Sequence, residues 1–355
     1  MAPIRSTKFG FNSSFTDKVE TDNNFIAIRE TNTANDTFEP GNGYRYLVFT
    51  SPGNLYVNKS GRVDILVVGG GGAGGTGEQR PSPAAYYAGG GGGAGGFYET
   101  MAFTLPVGDY DISIGAGGAA LVDTFNLQSG TNRNGSPGTP SYISGPGITT
   151  ITAYGGGGGA GSFDSPPNQA TGNGSDGGSG GGASNNSTAG EGNRTTAIAP
   201  ATGSPIPSYL QGHDKVQGHP GNSNSTSTIN AGGGGGAGST AYFYIDGTVS
   251  TFMTGGDGRP AWSGDEGIPS SYGTPGPTPG RWFAGGGGAG TSGGTDNGGA
   301  GGGGRGADGY PSVVSDGSAG TVNTGGGGGG GSGTVATRLG YAGGSGIVIV
   351  KYKIS

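Results

Sequence analysis

The sequence predicts an all-β protein with much irregular structure and essentially no α-helix, in which a small β-sheet or sandwich frames a bundle of polyglycine-II-like helices. Two observations carry this prediction. Of the 355 residues, 91 are glycine and 21 are proline, whereas glycine usually accounts for roughly 7% of a chain. The best apolar segments are short and β-branched, as strands are, and they lie at the two ends of the glycine-rich region. An ordinary compact enzyme fold and a helical bundle both disagree with this composition.

The first strand candidates lie in residues 1–60, the least glycine-rich part of the chain. Aromatic and β-branched residues fill 44–49 and 55–57, and the sequence SPGN at 51–54 separates them. Such runs, broken by turn-forming residues, predict a β-hairpin.

The strongest strand candidate covers residues 62–68 and runs directly into glycine. A period-two strand is predicted at 110–114, after the turn at 106–109, and another strand at 346–353 closes the chain. Because the first and last of these strands lie at the entrance and the exit of the glycine region, we expect them to share one sheet.

These boundaries divide the chain into four parts. They are an N-terminal β region, strands that open the glycine-rich domain, a polyglycine-II bundle with long loops, and a closing strand: 1–60, 61–124, 125–345 and 346–355.

Glycine runs recur through the domain at irregular spacing, which argues against a fixed-period solenoid. Seven runs of four or more glycines begin at Gly69, Gly89, Gly155, Gly232, Gly285, Gly301 and Gly325. The first five end in Ala-Gly, and aromatic residues flank several of them. A flexible linker is the alternative, but linkers need neither a repeated ending nor aromatic flanks. We therefore favour extended helices with three residues per turn, which pack closely when glycine occupies every face.

One glycine run matches half of a dinucleotide-binding fingerprint. Gly69, Gly71 and Gly74 follow a strand with GxGxxG spacing, but the fingerprint also requires a helix whose N-terminus faces the pyrophosphate. The next residues include Pro81 and Pro83, which cannot propagate one. We expect no cofactor.

Catalysis and metal binding also lack support in the residue inventory. The chain has no cysteine and two histidines, His213 and His219, which flank Asp214 in a loop-like segment. A metal site there is conceivable, but spacing reveals no further ligand, and solvated loop histidines are the simpler interpretation. Paired carboxylates stay open because sequence spacing does not reveal spatial pairs. We expect no metal and no enzymatic activity.

Charge and hydropathy argue against two kinds of partner. The net charge of −6, with 17 basic residues, disfavours nucleic acid and anionic membranes. No stretch approaches the about eighteen apolar residues of a membrane span. The first residues lack the apolar core of a signal peptide, so we expect a mature cytosolic terminus.

Aromatic residues at run ends and in the long loops are the candidate binding residues. They either cover exposed backbone at the edges of the glycine bundle or form a loop-borne recognition surface. The candidates are Tyr86, Tyr87, Tyr242, Phe243, Tyr244, Trp262, Tyr272 and Trp282.

Three segments resemble the glycine-rich domain of tailed-bacteriophage tail fibres and adhesins. They are the entry VDILVVGGGGAGG at 63–75, the internal YDISIGAGG at 110–118 and the exit GGSGIVIVKY at 343–352. The resemblance covers roughly residues 44–355. It implies a virion structural protein, assembled in the host cytoplasm, that stacks polyglycine helices and binds the host through loops at the bundle tip.

On this resemblance, residues 1–60 attach to other tail or head proteins. Loops 76–88, 163–231 and 243–284 then bind a host surface glycan or outer-membrane protein, without nucleic acid or membrane insertion. A homotrimer is expected by analogy with phage fibres. The alternatives are a capsid decoration or head fibre that binds no receptor, and an ice-binding bundle, which would need a flat Thr/Ala face.

Overall fold

A computed structural model describes residues 25–29, 32–81, 84–121, 133–162, 174–184, 217–222, 231–239, 241–246, 249–265, 267–291, 296–310, 313–332 and 339–354. Strands and irregular segments make up this part of the chain, with one short 3-10 helix at Ala261–Ser263. The all-β prediction is confirmed. In the described residues no helix has the length and hydropathy needed to span a bilayer.

The strands, in chain order, are β1 (Ala27–Ile28), β2 (Asp36–Phe38), β3 (Tyr44–Phe49), β4 (Gly53–Lys59), β5 (Gly61–Val68), β6 (Glu78–Pro81), β7 (Ala84–Tyr87), β8 (Phe97–Leu105), β9 (Gly108–Ser113), β10 (Ser141–Ser144), β11 (Ile151–Ala153), β12 (Tyr242–Asp246), β13 (Val249–Thr254), β14 (Arg259–Pro260), β15 (Trp282–Phe283), β16 (Asp308–Tyr310), β17 (Val313–Ser315) and β18 (Ile347–Lys353).

Two five-stranded antiparallel sheets form a sandwich. The outer sheet has the order β1-β4-β9-β10-β11 and the central sheet the order β2-β3-β18-β5-β8. Their facing side chains form one apolar core, to which the central sheet contributes Val67 and Val350 and the outer sheet Leu55 and Ile143. Tyr110 is also buried in this core, and its hydroxyl donates to the Pro106 carbonyl oxygen at 2.9 Å.

The entrance and exit strands share the central sheet, as expected. β5 and β18 pair antiparallel, with Val67 opposite Val348. The predicted hairpin at 44–57 is wrong, because β3 pairs with β18 and β2 whereas β4 pairs with β9 and β1. The turn between β3 and β4 therefore carries the chain from one sheet to the other.

The central sheet is buried on both faces. Residues 261–284 cover the face opposite the sandwich core, where Trp262 and Phe283 pack in one cluster with Leu66 and Ile349. Double burial explains why β5 and β18 contain the continuous apolar runs 65–68 and 347–350 rather than alternating residues. We call residues 261–284 the cover. Part of the predicted loop 243–284 is thus packed on the central sheet. The rest includes the hairpin β12–β13.

The glycine segments are joined by hydrogen bonds that repeat every three residues. In segment 69–76 the amides of residues 69, 72 and 75 donate to segment 90–96, and those of residues 70, 73 and 76 donate to segment 133–139. The amides of residues 71 and 74 donate to segment 341–344, and all these bonds measure 2.8–3.1 Å. This is the period of a helix with three residues per turn, each face of which meets a different neighbour. The polyglycine-II geometry stays a prediction, and the period supports it.

Segment 89–96 lies at the centre of the bundle. Six segments exchange hydrogen bonds with it, namely 69–75, 154–160, 179–182, 232–235, 287–290 and 325–331. A Cβ built on Gly90, Gly91 or Gly92 would overlap a carbonyl group of a neighbouring segment. Glycine is therefore required at these three consecutive positions, one on each face of the segment.

Segments at the edge of the bundle need glycine on fewer faces. In 133–139 a Cβ on Gly135 or Gly138, three residues apart, would overlap backbone of segment 69–75, whereas Pro137 is exposed. Segments 174–184 and 217–222 also belong to the bundle, through hydrogen bonds to 155–160 and 233–236. The predicted loop 163–231 therefore contains two pieces of the bundle.

The bundle has two different ends. At the base the glycine segments continue into the central sheet, since β5 precedes Gly69, β8 follows Gly96 and β18 follows Gly346. At the opposite end, the tip, lie the hairpins β6–β7 and β16–β17. The described segments that end at Ser162, Asn222, Thr291 and Ser332 also end towards the tip.

Candidate recognition surface

The eight candidate aromatic residues lie in three separate places. Tyr86 and Tyr87 are on β7, in a hairpin at the tip. Tyr242, Phe243 and Tyr244 are on β12, whose hairpin with β13 leaves the side of the bundle between the segments 231–239 and 255–258. The remaining three belong to the cover on the central sheet, at the base: Trp262, Tyr272 and Trp282.

The three residues at the base are held by contacts inside the protein. Trp262 and Trp282 are 6% and 8% exposed. The indole N–H of Trp282 donates to the Thr278 carbonyl oxygen at 3.0 Å, and the Tyr272 hydroxyl donates to Asp36 Oδ2 at 3.1 Å. These contacts favour the packing interpretation for all three, because little of either indole is left for a partner.

A charged cluster fixes the cover to the central sheet. Lys351 on β18 lies 3.0 Å from Asp64 on β5 and 2.9 Å from Asp265 on the cover. The Tyr46 hydroxyl donates to the Asp265 carboxylate, with oxygens 3.0–3.1 Å apart. The Lys351 ammonium also lies 4.7 Å from the centre of the Trp262 ring, a cation–π contact.

The cluster shifts the protonation equilibria of its members. Burial by itself raises the pKa of Asp265, but the Lys351 ammonium, the Gly267 amide and the Tyr46 hydroxyl outweigh it and leave the pKa below its ordinary value. Burial lowers the pKa of Lys351, and the two carboxylates outweigh it and leave the pKa raised. Burial, supported by the Asp265 charge, raises the pKa of Tyr46 to about 12.

We expect the protein to lose stability as the pH rises from about 10 to 12, because the fold favours the neutral Tyr46 phenol. A raised folded-state pKa gives stability that is complete below the unfolded value of about 10 and is lost as the pH passes the folded value. Lys351 acts in the same direction. The Tyr46→Phe variant should start less stable, having lost the bond to Asp265, but should lose roughly 2 kcal/mol less over this window.

Thermal unfolding followed by circular dichroism across this pH range measures the effect. An equally steep alkaline loss in the wild type and in Tyr46→Phe would contradict this assignment of the titration. Tyr56→Phe, a change on the partly exposed surface of β4, is the matched control.

The structure also locates the remaining sequence motifs. Gly69, Gly71 and Gly74 donate their amides to other bundle segments, and the next element is the strand β6. His219 is part of segment 217–222, where its amide donates to the Gly236 carbonyl oxygen at 3.0 Å. His213 lies outside the described residues. Within the described ranges there is no group of three or more His, Cys, Asp or Glu residues that could hold a metal ion.

Two oppositely charged members of the charged cluster were not identified from the sequence. Asp64 and Lys351 each directly adjoin the buried apolar run of their strand, and a charge in such a position needs a partner. That pattern is visible in the sequence. The third member, Asp265, lies in a segment without periodicity, so its participation is seen only in the fold.

A family model described as a glycine-rich domain matches residues 50–353. The chain belongs to this family. No curated protein matches it. The match to the glycine-rich domain begins just before β4 and ends with β18, so it covers most of the sandwich and the whole described bundle. β3 lies before the matched range, yet it pairs along its full length with β18, so the folded unit of this glycine-rich protein begins earlier than the match.

Proposed function

We propose that this glycine-rich protein is a structural protein of a tailed-bacteriophage virion, a tail fibre or adhesin whose tip binds the host cell surface. One observation carries the proposal: the sandwich lies at the base of the bundle, while two hairpins lie at the opposite end. We assign attachment to other virion proteins to the N-terminal region, residues 1–60, whose described strands β1–β4 belong to the sandwich at the base. The resemblance of the entry, internal and exit segments to phage fibres points in the same direction.

The physical advantage lies in how the bundle is stabilised. Its segments are joined through backbone hydrogen bonds, so a connection at the tip changes in length or sequence without repacking side chains. Recognition residues are thereby separated from the residues that determine the fold. Several copies on one particle would raise weak individual binding through effective concentration.

Gold-labelled antibody against the chain, viewed on intact particles by electron microscopy, tests the location. We expect label at the tail periphery. Label over the head would indicate a capsid decoration instead of an adhesin. Particles without label would overturn the assignment to the virion.

We expect tip variants to lose host binding while keeping the fold. The purified wild-type chain should compete with phage for adsorption to host cells. Competition should weaken by about tenfold or more when residues 163–173 are replaced by a Gly/Ser linker of the same length, or when Tyr86 and Tyr87 are both changed to Ser. Met101→Ser at the base, where the side chain is 55% exposed, is the control. Equal competition by all variants would refute recognition at the tip.

A further inference from the structure

A cleft of about 540 Å³ opens on the side of the bundle near its base. Its walls come from three parts of the fold: the bundle segments that contain His219 and Ser239, the strand β14 with the residues before it, and the cover around Trp282. Its volume lies within the roughly 300–1,000 Å³ of small-molecule sites. The hairpin β12–β13 is rooted at its rim, because this hairpin joins Ser239 to Asp257 along the chain.

One wall of the cleft presents a fixed hydrogen-bond acceptor. Asp257 Oδ1 accepts the Ala300 amide at 2.8 Å, and the Asp257 amide donates to Ser239 Oγ at 2.9 Å. The Asp257 carbonyl oxygen accepts the amides of Gly238 and Ser239. Within the described ranges Oδ2 has no hydrogen-bond partner, so this oxygen is held in place with its acceptor capacity unused.

A positively charged residue, Arg259, lies two residues after Asp257 along the chain. The Arg259 guanidinium is placed 5.5 Å from the centre of the Phe97 ring, a cation–π contact that restrains it. Arg259 and Asp257 line the same cleft, so the lining contains both a hydrogen-bond donor and an acceptor, of opposite charge. A simple anion such as phosphate would meet the Asp257 carboxylate, which disfavours it.

Another part of the lining is apolar and rigid. Trp282, Pro260 and Pro277 contribute to it. The Trp282 ring is held by its bond to Thr278 and lies so close to Gly276 that a Cβ there would overlap it. Flat or ring-shaped side chains of this kind suit a ligand that presents C–H groups on one face.

We propose that this cleft binds a saccharide of one or two sugar units. Ring C–H groups pack against Pro260 and Pro277, which Trp282 backs as part of the cover, while hydroxyls donate to Asp257 Oδ2 and hydroxyl oxygens accept from Arg259. The hydroxyls of a neutral polyol both donate and accept hydrogen bonds, so they suit a lining that contains both an anionic and a cationic side chain. This proposal rests on the proposed function only for the source of the sugar, a host surface glycan. Saccharide binding itself is a property of the purified chain.

Saturation-transfer NMR on the purified full chain, with glucose, galactose, N-acetylglucosamine and their β1,4-linked disaccharides as probes, tests the site. We expect at least one probe to bind. Asp257→Asn keeps the acceptor for Ala300 and replaces Oδ2 with a donor, so its affinity should fall by about tenfold or more, and Arg259→Gln should weaken binding similarly. Asp109→Asn, an exposed acid on the outer sheet, should bind as the wild type does.

Three outcomes would overturn the proposal: no binding by any probe, binding of inorganic phosphate in place of sugars, or equal binding by Asp257→Asn and Asp109→Asn. Failure here leaves the gold-label result unaffected, because that experiment reports location on the particle. Conversely, a head location would leave saccharide binding by the purified chain intact.

Discussion

Replacing Gly92 with alanine should lower the free energy of unfolding by about 4 kcal/mol or more. Gly92 lies in the central segment, where its amide donates to Gly328 and its carbonyl oxygen accepts from Gly287, both at 2.8 Å. A Cβ at this position would overlap the carbonyl group of Gly72. Gly72 is itself held by hydrogen bonds to Gly93 and Gly328, so it moves away only if those bonds lengthen or break.

The sign of this effect distinguishes a packed bundle from a linker. In a flexible segment, or at any position that tolerates a Cβ, alanine in place of glycine stabilises by about 0.4–1 kcal/mol because the unfolded chain loses entropy. In the bundle the steric overlap exceeds that gain several times over. Wild-type or higher stability in Gly92→Ala would therefore refute the six-neighbour packing.

Ala116→Val is the matched control for this prediction. Ala116 belongs to a glycine segment at the edge of the bundle, where its amide donates to Thr139 Oγ1 and its carbonyl oxygen accepts the Thr139 amide. Its side chain is exposed, so added methyl groups meet solvent. We expect a change within about 0.5 kcal/mol, measured by the same chemical denaturation series. If Gly92→Ala yields no soluble protein while Ala116→Val folds normally, the prediction also holds.

The parts of the fold that could be predicted from the sequence are those with a local cause. β5 and β18 are β-branched runs that touch glycine, and their joint membership of one sheet follows from their positions. The repeated Ala-Gly endings also have a structural counterpart, because the five alanines are at most 2% exposed: Ala73, Ala94, Ala160, Ala237 and Ala289.

The remaining features depend on contacts between distant segments. The same turn residues between β3 and β4 would serve a hairpin or a crossing between two sheets. Which of the two forms depends on β18, at the other end of the chain, because β3 pairs with it. Edge segments such as 133–139 meet the bundle on few faces, so they contain no glycine run. Trp262 and Trp282 lie in a polar, proline-rich segment that looks like an exposed loop, yet the second face of the central sheet needs a cover.

Lys351→Met should destabilise the protein by about 3 kcal/mol, because it leaves two largely buried carboxylates without a cation. The side chains of Asp64 and Asp265 are 18% and 13% exposed, and that of Lys351 is 11% exposed. Asp64 keeps the Ala102 amide as a donor. Neither that bond nor those remaining at Asp265 supplies a full positive charge. Lys353→Met, two residues along the same strand and exposed, should change stability by no more than about 0.5 kcal/mol.

Acid titration separates a charge effect from a loss of packing. The lowered pKa of Asp265 gives the wild type stability that is present above the unfolded value of about 3.9 and is lost as the pH falls through the folded value. The gap between the wild type and Lys351→Met should therefore narrow below about pH 4, where neutral carboxyls no longer need the ammonium. Adding Asp265→Asn to Lys351→Met should also recover part of the loss at neutral pH. A gap that is independent of pH, and unchanged by the second substitution, would mean that Lys351 acts through its aliphatic contacts with the aromatic rings and not through its charge.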